Sequence, residues 1–486
     1  MTNTNNLQLE NIYKVIRFSL PISAGMLINM ISSFIAMMMV AQLGETELAA
    51  GALGISTNIT IVTIAATFFY SIGISISHLR GQQKSSEEIG TMVKNGMWLA
   101  LLLAIPSSLI LWNVDTVLIA FKQDPALIAI AKNYFHFAAL SVLPSLLIVV
   151  FSQFFTGTDR PRYSMLISMI SLPLIVFLSY LFVLGRFAMP QLGLAGITCA
   201  TLISQTLISI SVFFYLLLGK NNAKYKIFSG NFLPKLTICK HLFNLGFPIG
   251  VQFGAELAAM TVSTYFMGYF GVAALAASQI VSQYSMLVVM VTLGLSQALS
   301  VLISKAYGEK NYLLIKQYMF SSMFILTAFF MVVLLFFVGF PNLLIQSFLH
   351  HSNTINGDTF HLAVQFFVIA AITLFIDGLR NLYSGALRGL HDSKTPMHIG
   401  IICLWGISIP MNYLCGILLH GGPIGLRFGF MSGFVIAAWI LWSRIKIKIN
   451  LLDNPDLPIE FIKGLLASKH QDRSLAEPFK FEEGSN

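Results

Sequence analysis

The sequence predicts an all-α integral membrane fold: twelve transmembrane helices in two pseudo-symmetric six-helix bundles, arranged as parallel repeats. Three observations lead there: long apolar runs, a one-sided spread of basic residues, and an internal repeat. Of 486 residues, 56% are hydrophobic and only 10% are charged. Water-soluble chains carry about 25% charged residues. A spanning helix needs roughly 20 apolar residues. The chain supplies such stretches at 13–41, 51–79, 95–121, 128–156, 163–186, 192–219, 241–270, 275–305, 316–347, 359–388, 397–420 and 423–445. It lacks the short alternating segments of a membrane β-barrel.

The second observation is where the basic residues sit. With the N-terminus placed in the cytoplasm, 25 of the 29 Lys and Arg residues fall on the inner side or in the tail. Only Lys122, Lys132, Arg186 and Arg427 fall outside. Basic residues concentrate on the cytoplasmic side of membrane proteins, so both termini are expected there. The net charge of +9 is then a topological signal and not a surface for nucleic acid. Cys199, Cys239, Cys403 and Cys415 lack CxxC or CxxH spacing, so neither zinc nor a redox pair is indicated. The first apolar run is too long for a cleavable signal peptide and reads as a retained helix.

The third observation is the repeat. A shift of 227 places Pro21-Ile22 on Pro248-Ile249, Gly44 on Gly271, Leu48-Ala49-Ala50 on Leu275-Ala276-Ala277, Ile76-Ser77 on Ile303-Ser304, and Gly81 on Gly308. Further along, a shift of 235 places Pro106 on Pro341 and Pro161 on Pro396. Six spans per half is an even number, so the halves share one orientation, as in transporters whose substrate site lies between repeats. The expected organisation is an N-terminal segment at 1–12, a first half at 13–219, a cytoplasmic loop at 220–240, a second half at 241–446 and a cytoplasmic tail at 447–486. Within the tail, PIEFIKGLLAS fits a short amphipathic helix on the inner leaflet and fits an unstructured segment equally well.

The halves differ in polar content. Charged residues inside a span are expensive and mark substrate or ion paths. Three lie well inside predicted helices: Glu256, Asp377 and Arg380. Glu256 falls on Asn29 of the first half, and Asp377 on Val142 or Ser145 depending on the shift. Gln252 and Glu256 are i and i+4; so are Gln279 and Gln283; Thr373, Asp377 and Asn381 continue the spacing on the tenth span. Residues so spaced share a helix face, and polar faces inside a membrane turn toward protein or water. These faces are expected to meet in one cavity in the second half, joined by Asn412 just after Pro410.

Such a site suits a hard cation such as Na⁺, held by carboxylate, amide and hydroxyl oxygens. It also suits a proton, because a carboxyl group away from water favours its neutral form. Arg380, i+3 from Asp377, allows a third reading, a structural ion pair. Phe253, Met260, Tyr284, Met286 and Tyr383 are candidates to line a pocket for greasy organic cations, beside Gln252, Arg380 and Asn381. In a chain with 40 Phe and 21 Met, packing is the plainer role for each one taken singly. His136 and His398 read as interfacial or structural. There is no Walker A motif, no HExxH and no GxSxG. ATP, cofactors and enzymatic chemistry are therefore not expected; Na⁺ or H⁺ is expected to supply the drive.

Two stretches carry a family resemblance: FPIGVQFGAELAAMTVSTYFMGYFGVAALAASQI, with Glu256 and Gln279, and FIDGLRNLYSGALRGLHDSKTP, with Asp377. Together with Pro410-Met411-Asn412 they resemble the multidrug and toxic compound extrusion (MATE) transporters, in their bacterial NorM-like branch. The resemblance runs from about Asn11 to Trp442. It implies a monomer in the bacterial inner membrane that exports lipophilic or cationic organic compounds by antiport. It also implies a cation site at Glu256 and Asp377, with Gln279, Gln283, Thr373 and Asn412 around it. The family often has Asp in its first helix, where this chain has Ala36, so coupling is expected to rest on the second half. Arg380 stands where the family usually has an uncharged polar residue. Two alternatives remain: a lipid-linked sugar flippase of the same superfamily, and an uncoupled channel or scramblase.

Overall fold

Inside a bilayer every backbone N–H and C=O must bond within its own segment or a closed barrel. Among the described residues the regular structure is helical throughout. The computed structural model describes residues 2–120, 125–187, 189–220, 222–228, 233–348 and 357–453. Residues Met1–Ile445 form one compact unit, and a second unit begins at Lys446. The PIEFIKGLLAS segment lies outside the described residues.

The first half comprises α1 (Thr2–Ala41), α2 (Glu45–Phe68), α3 (Tyr70–Gly81), α4 (Ser86–Trp112), α5 (Val114–Ala120), α6 (Pro125–Gly157), α7 (Pro161–Leu184) and α8 (Ala195–Leu218). The second comprises α9 (Leu236–Gly268), α10 (Val272–Gly308), α11 (Tyr312–Gly339), α12 (Pro341–Phe348), α13 (Gly357–Gly389), α14 (Lys394–Cys403), α15 (Ile409–Tyr413) and α16 (Gly422–Asp453). Among the described residues, twelve spans are long and apolar enough to cross a membrane. Local chemistry sets several boundaries. Ser85 caps α4 by accepting from the Glu88 amide at 3.4 Å. Pro161 opens α7 at a position where a helix needs no N–H. Gly44 and Gly271, the repeat-related residues before α2 and α10, have φ of 137° and 95°, a region that favours glycine.

The structure redraws some predicted limits. The ninth span ends at Gly339, and Pro341 starts the separate α12, because proline cannot donate into the preceding helix. The third ends at Trp112, with α5 following a break at Asn113. The seventh begins at Leu236, so Lys240 is helical. The eleventh is α14 and α15 interleaved with two π turns, Leu404–Ser408 and Leu414–Leu418, on either side of Pro410-Met411-Asn412. The described part of the connecting loop packs on the first half. Asn222, Tyr225 and Ile227 are buried, Lys226 pairs with Glu87, and the Lys235 amide donates to Asn95 Oδ1 at 2.7 Å. Arg380 and Arg388, counted above with the inner-side charges, are buried within α13, but the remaining basic residues keep the same bias.

The two halves meet along α1, α2 and α3 on one side and α9 and α10 on the other. The repeat is visible in the contacts themselves. Ser77 Oγ donates to the Val301 carbonyl at 2.7 Å, and Ser304 Oγ donates to the Ile74 carbonyl at 2.8 Å. Ser77 and Ser304 are 227-residue partners, and so are Ile74 and Val301. One turn on, Gly81 and Gly308 cross. A Cβ on Gly81 would stand 2.1 Å from the Lys305 carbonyl oxygen, and one on Gly308 2.4 Å from that of His78. Only glycine allows this approach. At the same basic end, Asp159 Oδ2 accepts from Arg80 of its own half at 2.9 Å and from Lys305 of the other at 2.8 Å. The rings of His78 and His391, one from each half, lie 4.5 Å apart at the centroids.

Candidate functional site

The second half owes its site to the close packing of α10 and α13. Gly385 and Gly389 lie so near Ser296 and Ser300 that a Cβ on either would come within 2.6 Å of the neighbouring backbone. Small residues let the two backbones approach, and α13 is thereby held as a rigid rail. Asp377, Arg380 and Asn381 project from it beside α9, one turn beyond whose middle stands Glu256.

These four side chains form one cluster. Arg380 Nε donates to Asp377 Oδ1 at 2.8 Å. Its Nη2 donates to Glu256 Oε1 and, at 3.2 Å, to Asn381 Oδ1. Asn381 Nδ2 donates to Asp377 Oδ2 at 3.0 Å. Phe434 of α16 lies 5.1 Å below the guanidinium, in an apolar cap with Ala259 and Leu404. The Arg380 side chain is 1% exposed, that of Asp377 4% and that of Glu256 12%. Glu256 is thus the member nearest to open space, and Arg380 sits in the seat between the carboxylates. A buried guanidinium in contact with two carboxylates is strongly coupled to both, and removing one partner strands the others.

A second basic group stands alongside. Arg388 Nη2 donates to Gln252 Oε1 at 2.8 Å, and its guanidinium lies 5.3 Å from the Phe253 ring. Phe253 meets Tyr70 of α3 edge to face. Gln252 and Phe253 therefore belong to this neighbouring contact rather than to an open pocket wall. Arg427 of α16 donates to Ser278 Oγ at 2.8 Å and faces the Phe366 ring.

Among the described residues, none of the other predicted residues hydrogen-bonds to the cluster. Asn412 is buried and donates to Ser263 Oγ of α9 at 2.8 Å, with no hydrogen bond to either carboxylate. The Thr373 hydroxyl bonds back to the Ile369 carbonyl at 2.8 Å, as threonine does within a helix. Gln279 and Gln283 share one exposed face of α10, as their spacing required, but that face carries no bond to the cluster. Tyr284 donates to the Leu344 carbonyl at 2.8 Å. Met260 and Met286 are about two-fifths exposed, and Tyr383 is buried. Among residues the sequence reading did not assign to the site, Arg388 was the most legible. It lies i+8 from Arg380, on the same face of α13. Arg427, Ser263 and Phe434 carry no comparable local signal.

Parallel six-helix repeats with a buried ionic cluster define a membrane transport protein. The MatE family model matches residues 21–181 and 248–414, and the chain belongs to that family. It is 29% identical over 408 residues to the probable multidrug resistance protein NorM of Mesorhizobium japonicum, covering 84% of this chain and 87% of that one. It is 28% identical over 437 residues to the multidrug resistance protein NorM of Burkholderia vietnamiensis, covering 90% and 94%. A crystal structure of MATE in complex with MaL6 superposes with a TM-score of 0.83 at 19% identity, over 91% of this chain and 97% of that one. An outward-facing conformation of a multidrug resistance MATE family transporter superposes at 0.82 and 19%, over 91% and 96%. At these identities the structural likeness is one of fold.

Proposed function

We propose that this chain is a secondary active multidrug efflux transporter. It exports lipophilic, mainly cationic organic compounds by antiport against Na⁺ or H⁺, with no catalytic step. The single observation that carries the coupling is the convergence of Glu256 and Asp377, from different helices, on one buried point. Membrane-buried carboxylates are costly and are retained where ions or substrates pass. The MatE membership and the NorM relatives support the substrate class.

The paired serines, the Gly81–Gly308 crossing and the Asp159 clamp all lie toward the basic end, and we take that end as cytoplasmic. On this reading the protein is a monomer of the bacterial cytoplasmic membrane with both termini inside. In this conformation it is sealed toward the cytoplasm and presents Glu256 outward. Halves 13–219 and 241–446 move against each other about the interface of α1–α3 with α9 and α10. Efflux of an ethidium-like dye from vesicles, with Na⁺ and H⁺ gradients imposed separately, tests this. Uphill dye movement that collapses when both gradients are dissipated is expected. Movement that persists without them would show an uncoupled pathway.

A further inference from the structure

We propose that Arg380 is the resident cation of this site: its guanidinium takes the seat a coupling metal ion would occupy, and the coupling ion is a proton received by Glu256. The proposal rests on the antiport reading and deepens it.

The geometry gives three reasons. First, the ligands are already spent. Both oxygens of Asp377 accept hydrogen bonds, from Arg380 and Asn381, and the Asn381 amide oxygen accepts from Arg380 as well. A Na⁺ ion needs several oxygens turned to one point, and here Asp377 Oδ1, Glu256 Oε1 and Asn381 Oδ1 turn to a guanidinium. Second, a metal ion brought into the cluster would stand beside a fixed positive charge that cannot leave by losing a proton. Third, one acceptor is spared. Glu256 uses Oε1 for Arg380, its Oε2 accepts no hydrogen bond from the described residues, and it is the most exposed of the charged members. A proton or an organic cation reaching the cluster from the open side meets Glu256 Oε2 first.

The charges around Glu256 fit a one-proton step. From α13 it faces Asp377, Arg380 and, further off, Arg388. Tyr70 of α3 lies beyond Arg388, Cys403 of α14 lies near Arg380, and α16 contributes the uncharged Phe434. With both carboxylates ionised, Glu256, Asp377 and Arg380 sum to −1. When a proton adds to Glu256 Oε2 the sum is zero, and the Arg380–Asp377 pair keeps its own bond. A cationic substrate is held by the ionised form and released by the protonated one. Proton and substrate thus compete for one oxygen, which is sufficient for exchange across alternating conformations.

The experiment uses the purified full-length protein and ethidium as the probe. Ethidium affinity of the wild type should change by about tenfold or more with pH and stay within about twofold when K⁺ is replaced by Na⁺ at fixed pH and ionic strength. Arg380→Gln empties the seat. Thermal melting of that variant should become Na⁺-dependent, since a ligand bound only by the folded state stabilises it, while wild-type melting should not. Ethidium binding or uphill transport by the wild type that depends on Na⁺ at fixed pH would overturn the proposal, and it needs no variant to fold. Uphill transport surviving in Glu256→Gln would instead overturn the antiport site itself.

Discussion

The same scaffold is built twice, and the two copies treat their polar groups in opposite ways. The glycines set the register between them. A Cβ on Gly157 would meet Ile76 Cβ at 2.9 Å, and one on Gly389 would meet Ile303 Cβ at 3.0 Å. Ile76 and Ile303 are repeat partners, so Gly157 and Gly389 are too, and α6 and α13 align with a shift of 232. On that shift Asp377 falls on Ser145, Arg380 on Ile148 and Asn381 on Val149; on the shift of 227 that relates α1 to α9, Glu256 falls on Asn29. Ser145 Oγ bonds to the Ser141 carbonyl of its own helix at 2.7 Å. In the first half Ile148 and Val149 are apolar and Ser145 is satisfied within its own helix; in the second the corresponding residues reach one another and Glu256 of a different helix. The first half keeps the same backbone without these charges, and the proposed ion coupling is the explanation offered for their presence in the second.

Substitutions sharpen that contrast. The largest effect is expected from Glu256→Gln or Asp377→Asn, each of which should abolish gradient-driven dye export. Ser145→Ala, at the first-half counterpart, should leave export within about twofold, because an exchange of a local back-bond costs little. Comparable losses at Ser145 and Asp377 in the vesicle assay would erase the asymmetry. Next comes Arg380→Ala. In Na⁺-free buffer it strands two buried carboxylates, a loss of about 3–5 kcal/mol, read as a lower melting temperature in detergent. Adding Glu256→Gln should restore part of the loss, since one stranded charge disappears; no recovery would mean that Arg380 acts by packing alone.

Gly308→Ala tests the interface between the copies. Its methyl group would collide with the His78 carbonyl, at a cost of about 1–3 kcal/mol to this sealed conformation. Cysteine labelling at the basic end should increase in that variant; unchanged labelling would show that the crossing is not part of the seal. The smallest effects belong to Ser77→Ala and Ser304→Ala. Each removes the hydrogen bond across the halves, worth about 1 kcal/mol, and Ser304→Ala also removes a longer contact to His391 Nε2 at 3.3 Å, so repeat symmetry predicts similar shifts in melting temperature with the Ser304 shift slightly the larger. A clear inequality would show that the two-fold relation seen in the backbone does not extend to energetics.

Much of this architecture was legible from the chain. Apolar length marked twelve spans, and the spacing of Pro and Gly exposed the repeat before any contact was visible. Helical spacing also put Asp377 and Asn381 on one face and Gln252 with Glu256 on another. Less was legible where reach matters more than face. Arg388 looks like an inner-side charge, yet its long stem carries the guanidinium back to Gln252 at 2.8 Å. Gln279 and Gln283 lie on one face as spaced, but periodicity does not say which neighbour that face meets. Asn412 finds Ser263, a partner set by the path of the eleventh span and invisible in a linear pattern. The break between Phe68 and Tyr70 falls in an unbroken apolar run with no Pro or Gly to announce it.

That eleventh span also has a mechanical consequence. A π turn holds one residue more than an α turn, and each residue advances a helix by about 100°. Leu404–Ser408 and Leu414–Leu418 bracket the five residues Ile409–Tyr413. The bracketed piece is a spindle between two bearings. Were an extra residue passed from one bearing to the other, the spindle would turn by about 100° about its own axis while the helix ends stayed in place. Asn412 is mounted on that spindle, so such a step would re-aim it without bending the span.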